Sequence, residues 1–150
     1  MRHCQLLVML ALLLAAPMAF AADCEITVEA NDSMQYDTDR IEVSSACDTF
    51  TVTLKHVGSL SREAMGHNWV LTETADKQAV VDAGAAAGLE KGYLEPGDER
   101  VIAATDLIGG GEQTSVTFDV SQLEQGGDYT FFCSYPGHWA VMTGELTLVD

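Results

Sequence analysis

At 150 residues, 47% of them hydrophobic, the chain has the length and apolar content for one domain with a real core, and it is cramped for two. Its 23 acidic residues against seven basic ones set a formal charge of −16, which repels nucleic acid phosphate and anionic lipid and argues against both as partners. The same field favours a partner with a basic docking face, in an association that weakens as salt rises; an adaptation to solubility or high salt would produce the same charge with no partner at all.

The first residues read as a leader rather than as part of the fold. Arg2 supplies a positive n-region, Leu6 to Ala16 an apolar h-region, and Ala19-Phe20-Ala21 a small-x-small cleavage site. A signal peptide over residues 1–21 and a mature domain over 22–150 are expected, with export to the periplasm. Cleavage removes Arg2 and no acidic residue, leaving six basic residues against 23 acidic ones and a formal charge of −17. The apolar run is short for a bilayer span, and Asp23 before Cys24 argues against a lipoprotein anchor.

Beyond the leader the dominant period is two. Ile26 and Val28 alternate with polar residues, as do Phe50, Val52 and Leu54, then Val116, Phe118 and Val120, then Leu146 and Leu148. Turn chemistry separates these runs: Asn31-Asp32, Glu95-Pro96-Gly97-Asp98 with Pro and Gly placed for a type II turn, Gly109-Gly-Gly111, and Gly126-Gly127-Asp128. Many short strands with such punctuation predict an all-β fold, a Greek-key sandwich or flattened barrel. One segment breaks the pattern. From Thr74 as N-cap to Gly88 as C′ residue, Ala79, Val80, Ala83 and Ala87 fall at helical spacing, which predicts a single inserted helix, weakened by Gly84 in its interior by roughly 1 kcal/mol relative to Ala.

Once Cys4 leaves with the leader, Cys24, Cys47 and Cys133 remain, an odd number for an exported chain. Cys24 and Cys47 flank two short strands and can meet in an oxidising compartment, closing a loop of a size that contributes ~3 kcal/mol. Cys133 is then the free thiol. It opens the stretch Cys133-Ser-Tyr-Pro-Gly-His138-Trp-Ala-Val-Met142, to be read together with His67 in Met65-Gly-His-Asn-Trp69. Two imidazoles, a thiolate and a thioether form a soft ligand set that suits copper, with His67, Cys133 and His138 roughly trigonal and Met142 a long, weak axial ligand. Alone, each residue has an ordinary structural reading; together, in one turn-bearing loop of a chain poor in His, they do not. Structural zinc prefers several thiolates. A Cys/His nucleophile would need an orienting third residue and an oxyanion arrangement that are not evident. A copper oxidoreductase would need a second metal centre, yet only His56 remains among the mature histidines. The expected function is therefore non-enzymatic single-electron transfer, and its rival is a copper carrier or copper-stress buffer that holds the ion without shuttling electrons.

These residues resemble the bacterial azurins, blue-copper proteins of the cupredoxin family, along nearly the whole stretch from Ala22 to Asp150. The resemblance rests on Met65-Gly-His-Asn-Trp-Val-Leu71, on Leu107-Ile-Gly with Ser115-Val-Thr-Phe-Asp-Val120, and on Phe131-Phe-Cys followed by Pro136-Gly-His138 and Met142. It implies a cupredoxin fold, one type 1 copper ion, and c-type cytochromes or a periplasmic reductase as redox partners. The Gly66 carbonyl would add a second weak axial contact. Asn68 would tie the ligand loops together, with its backbone amide and that of Tyr135 directed at the Cys133 sulfur, and Cys24 and Cys47 would match the family's disulfide. The exposed edge of His138 would be the electron port, inside an apolar docking patch of Met34, Leu60, Met65, Pro136, Gly137, Trp139, Ala140 and Val141. Trp139 and Tyr135 depart from the family pattern, which has a small residue and Phe there. His56 continues the inward register of Phe50, Val52 and Leu54, so it is expected to be buried, with a candidate pH-linked role that the resemblance suggests. Trp69 is expected in the core, with its indole N–H in question.

Overall fold

Alternation of apolar and polar side chains becomes two packed sheets in the computed structural model, which describes residues 23–150; the expected leader over 1–21 lies outside the described residues. The strands are β1 (Glu25–Asn31), β2 (Gln35–Tyr36), β3 (Arg40–Ser44), β4 (Thr49–His56), β5 (Val70–Glu73), β6 (Val101–Ala104), β7 (Gln113–Asp119), β8 (Tyr129–Phe132) and β9 (Thr143–Val149). One sheet runs β2-β1-β4-β7 and the other β3-β9-β8-β5-β6. The pairs β1/β4 and β3/β9 are parallel and the rest antiparallel, so the chain crosses between sheets as a Greek-key sandwich.

The register faces one side of each sheet inward. Val28 lies beside Leu54, Val52 beside Val116 and Phe50 beside Phe118. With Ile41, Val43, Trp69, Leu71, Phe131 and Leu146 they form the main core. Along β4 every second residue is buried, and the pattern ends on His56. At the far side the Cys24–Cys47 disulfide, with Cα atoms 5.7 Å apart, staples the start of β1 to the turn between β3 and β4.

Strand β8 is buried at all four positions, because both faces of its sheet are covered. Tyr129 and Phe131 pack into the main core, while Phe132 joins Val70, Val80 and Val81 in a second cluster. Val80 and Val81 come from the helix α2 (Lys77–Ala87).

Two boundaries differ from the sequence-based expectation. The α-helix begins at Lys77, after a 3-10 turn over Thr74–Asp76. Thr74 does not cap it: its hydroxyl donates to Asp128 Oδ1 at 2.7 Å and its N–H to the Asp128 carbonyl at 2.9 Å, so the side chain is committed to the turn ahead of β8. Val120 falls outside β7 and opens a 3-10 turn, although it is buried and its N–H donates to the Asp48 carbonyl. At the helix's other end Gly88 takes φ 78° and closes it as expected. Gly84 proves to be required rather than tolerated, since a Cβ there would lie 2.0 Å from the Tyr93 carbonyl oxygen. Among the described residues no helix is long and apolar enough to cross a membrane.

Candidate metal centre

Cys133 is the first residue past the end of β8, so the hydrogen-bonded sheet fixes its position. The chain then turns at once. Tyr135-Pro136-Gly137-His138 forms a type II turn with Gly137 at φ 83°, and the His138 N–H donates to the Tyr135 carbonyl at 2.9 Å. A 3-10 turn over His138–Ala140 carries the chain back, where Met142 donates its N–H to the His138 carbonyl at 2.7 Å and accepts the Cys133 N–H at 3.1 Å. The three loop residues of interest are thus bonded to one another through their backbones.

His67 arrives from the opposite direction. It follows the short helix α1 (Arg62–Met65) and Gly66, and pairs with Ile108 in both directions: its N–H donates to the Ile108 carbonyl at 3.0 Å and its carbonyl accepts the Ile108 N–H at 2.9 Å. Gly66 has no room for a side chain, since a Cβ would meet the Arg62 carbonyl at 2.5 Å and Leu107 at 3.1 Å.

The donors converge. His67 Nδ1 lies 3.9 Å and His138 Nδ1 3.7 Å from Cys133 Sγ, all three atoms lie within 4.8 Å of one another, and the Gly66 carbonyl oxygen is 3.9 Å from the sulfur. An ion with bonds of about 2.0 Å to nitrogen and about 2.3 Å to sulfur, held trigonally, sets N-to-S separations of about 3.7 Å, so the cluster fits a first-row transition ion at its centre. Each group is buried, His138 being the least enclosed at 3% exposure. Met142 is fully buried, and its backbone is bonded to that of His138 and Cys133.

Hydrogen bonds hold these groups in the form a metal needs. The Nε2 of His67 lies 2.9 Å from the Asn31 carbonyl, which can only accept, so the proton sits on Nε2 and the Nδ1 lone pair faces the sulfur. Burial pulls the His67 imidazole down to about 4, against the Asn31 carbonyl that favours protonation, with His56 and His138 adding to the drop. His138 is lowered as well, first by burial and then by His56. Burial pushes the Cys133 thiol up to about 12, opposed by the backbone N–H groups of Asn68 and Tyr135, both directed at the sulfur. In the absence of metal, burial thus favours the neutral form of both imidazoles and of the thiol.

Asn68 links the two ligand segments. Its Oδ1 accepts the Ser134 N–H at 2.9 Å, and its Nδ2 donates to Ser134 Oγ at 2.8 Å and to the Gly92 carbonyl at 3.1 Å; the Ser134 hydroxyl donates to that carbonyl at 2.9 Å. The Asn68 carbonyl accepts the Tyr36 hydroxyl. Ser134, Gly92, Tyr36, Asn31 and Ile108 are absent from the sequence-based site. Four of the five contribute or receive bonds through backbone groups or distant strands, which leave no motif; only Ser134, directly after Cys133, stood in plain view.

The expected docking patch divides. Met34, Leu60 and Val141 are exposed at 40, 42 and 62%, and Pro136, Gly137 and Ala140 are exposed beside them, while Met65 is half-buried. Val57, at 56% exposure, is a large exposed apolar side chain outside the expected set. Trp139 is half-buried and turns inward, packing on the cluster of Val70, Val80, Val81 and Phe132 under α2. His56 is buried as its register required: its Nδ1 accepts the Gly58 N–H at 3.1 Å, its Nε2 lies 2.9 Å from the Met65 carbonyl, and its ring centroid is 4.4 Å from that of His67. Trp69 is fully buried between Phe118 and Phe131, and its indole N–H has no partner among the described residues.

Comparison with known proteins agrees with this geometry. Residues 22–149 match the sequence model of the family described as copper binding proteins, plastocyanin/azurin family. The chain is 59% identical over 130 residues to an azurin of Bordetella pertussis, 87% of each chain being covered, and 55% identical over 136 residues to an azurin of Pseudomonas aeruginosa, 91% of each being covered. A solved structure of an azurin from the obligate methylotroph Methylomonas sp. strain J superposes with a TM-score of 0.83 at 50% identity, over 86% of this chain and 100% of that one. The buried His, Cys, His cluster on a Greek-key sandwich and the extent of this likeness together place the chain in the plastocyanin/azurin family of copper-binding proteins.

Proposed function

We propose that the chain is a single-electron carrier, not an enzyme, which holds one type 1 copper ion between His67, Cys133 and His138, with Met142 and the Gly66 carbonyl as weak axial contacts. The observation that carries this reading is the convergence of three buried soft donors at separations of 3.7 and 3.9 Å around a common centre. Copper, when bound, supplies a one-electron couple between Cu(I) and Cu(II).

The protein's part is to keep the donors from moving. Cys133 is fixed by the end of β8, His67 by its paired bonds to Ile108 and its Nε2 bond to Asn31, and the two segments by the Asn68 and Ser134 network. Ligands that stay in place during a change of valence keep the reorganisation small. Burial excludes water from the pocket, His138 being the least enclosed donor at 3% exposure. A carrier that surrenders its copper would be served by accessible, mobile donors, and this enclosure favours the shuttle.

Residues 1–21 act as a cleaved export signal, residues 22–150 form the mature domain, and the working compartment is the periplasm. The partners are redox proteins such as c-type cytochromes or a periplasmic reductase, met through the apolar rim and drawn by a basic face to the negative charge. Adding Cu(II) to the purified protein should produce an intense thiolate-to-copper band toward the red that is absent in Cys133→Ser, while Met142→Leu should keep the colour and shift the potential. Stopped-flow mixing with a reduced c-type cytochrome should show rapid electron exchange that slows with salt. Copper transfer to an apo-acceptor with negligible electron exchange would refute the shuttle.

A further inference from the structure

Tyr135 spends every polar atom it has on the ligand segments. Its N–H points at the Cys133 sulfur and its carbonyl accepts the His138 N–H at 2.9 Å. The phenol hydroxyl donates to the Glu63 carbonyl, 72 residues away in the chain. Its ring lies against His138, with centroids 4.5 Å apart and planes tilted by 33°, and Tyr93 backs it edge-on at 5.2 Å.

The acceptor explains why the hydroxyl matters. Glu63 lies in α1, four residues before His67. The N–H that would close a helical turn onto its carbonyl is that of His67, and this N–H donates to Ile108 instead. The Tyr135 hydroxyl occupies the vacated acceptor and so joins the helix leading into His67 to the turn between Cys133 and His138. The Asn68 and Ser134 network ties the same two segments from the interior side, so the hydroxyl closes them from the more exposed side.

We propose that Tyr135 is a positioning residue for the metal site, its hydroxyl bond to the Glu63 carbonyl clasping the His67 segment to the loop that carries Cys133 and His138. The inference rests on the proposed copper site for its purpose, but the clasp is a property of the protein without metal and can be judged there.

The test compares the protein with Tyr135→Phe, which removes one oxygen and keeps the ring. In the metal-free protein, amide exchange at His67, His138 and Met142 should speed up about two- to ten-fold, the range set by one net hydrogen bond, while Val28 and Val52 in the distant core remain unchanged. Replacing Tyr135 with 4-aminophenylalanine, which restores a donor at the same place, should return exchange to the original rate. Release of Cu(II) to a chelator from the loaded Tyr135→Phe protein should speed up by a similar factor. Unchanged exchange at the three site amides, equal acceleration at Val28 and Val52, or unchanged release of Cu(II) would each overturn the clasp. Should the Phe variant fail to fold, O-methyltyrosine at 135, which keeps the oxygen but cannot donate, carries the same comparison. A protein that never develops the thiolate-to-copper band would refute the copper reading and leave the exchange result to decide the clasp.

Discussion

Asn68 Oδ1 accepts the backbone N–H of Ser134 at 2.9 Å, so that the residues directly following His67 and Cys133 are bonded to each other in the interior. Truncating Asn68→Ala strands the buried Ser134 N–H, while the half-buried Gly92 carbonyl loses one donor and keeps the Ser134 hydroxyl. Leaving that one buried donor unpaired costs about 1 to 3 kcal/mol. Urea unfolding of the metal-free protein should show an unfolding free energy lowered by that amount, read as a lower midpoint with the slope preserved, and Ser134→Ala should cost less because it keeps the backbone N–H bond to Asn68. Equal stability of Asn68→Ala and the original chain would mean that water replaces the network.

The raised thiol makes a prediction about protons. Burial holds Cys133 neutral up to about 12, and burial keeps His67 neutral above about 4. Near pH 8 a metal ion that binds the thiolate must therefore displace one proton from sulfur and none from His67. Loading in weakly buffered indicator solution should release about one proton per Cu(II), and Cys133→Ser should release close to none. A value near zero for the original protein would place a thiolate in the empty site and contradict the burial argument.

His67 contributes to the loss of stability of the metal-free protein in acid. Its folded value of about 4 lies below the ordinary value of 6.5, because the charged ring would be enclosed. Between these two values the unfolded chain binds more protons than the folded one, so the contribution to stability is complete above about pH 6.5 and declines as pH falls toward 4. The drop corresponds to about 3 kcal/mol over that window. Denaturant midpoints measured from pH 7.5 to 4.5 should fall accordingly, and His67→Gln should flatten the decline. A midpoint that stays level across the window would show that the ring finds solvent on protonation.

Gly84→Ala separates local preference from packing. Alanine gains roughly 1 kcal/mol in helix propensity over glycine, yet its Cβ would lie 2.0 Å from the Tyr93 carbonyl oxygen, a backbone atom that cannot rotate away. Relief requires α2 to shift off the segment at Tyr93, and such overpacking costs about 1 to 3 kcal/mol or more. The variant should be less stable by thermal unfolding, with α2 amides the most affected; a stabilised variant would show that the contact gives way at little cost.

Legible in the chain alone were the period of the strands, the three donors His67, Cys133 and His138 that the fold brings together, and the likeness to a known family, because alternation, turn residues and ligand chemistry are all written locally. It also placed His56 inside, since its position continues the run of Phe50, Val52 and Leu54. It took the folded arrangement to show that Trp139 packs on the cluster under α2, that Thr74 bonds to Asp128 instead of capping the helix, and that Gly84 is a point of close approach. Each of these depends on which element a side chain meets across the fold. The supports of the site were hidden for the same reason: the carbonyls of Asn31, Glu63 and Gly92 are backbone groups that every residue possesses, and only the crossing of the two sheets aims them at His67, Tyr135 and Asn68.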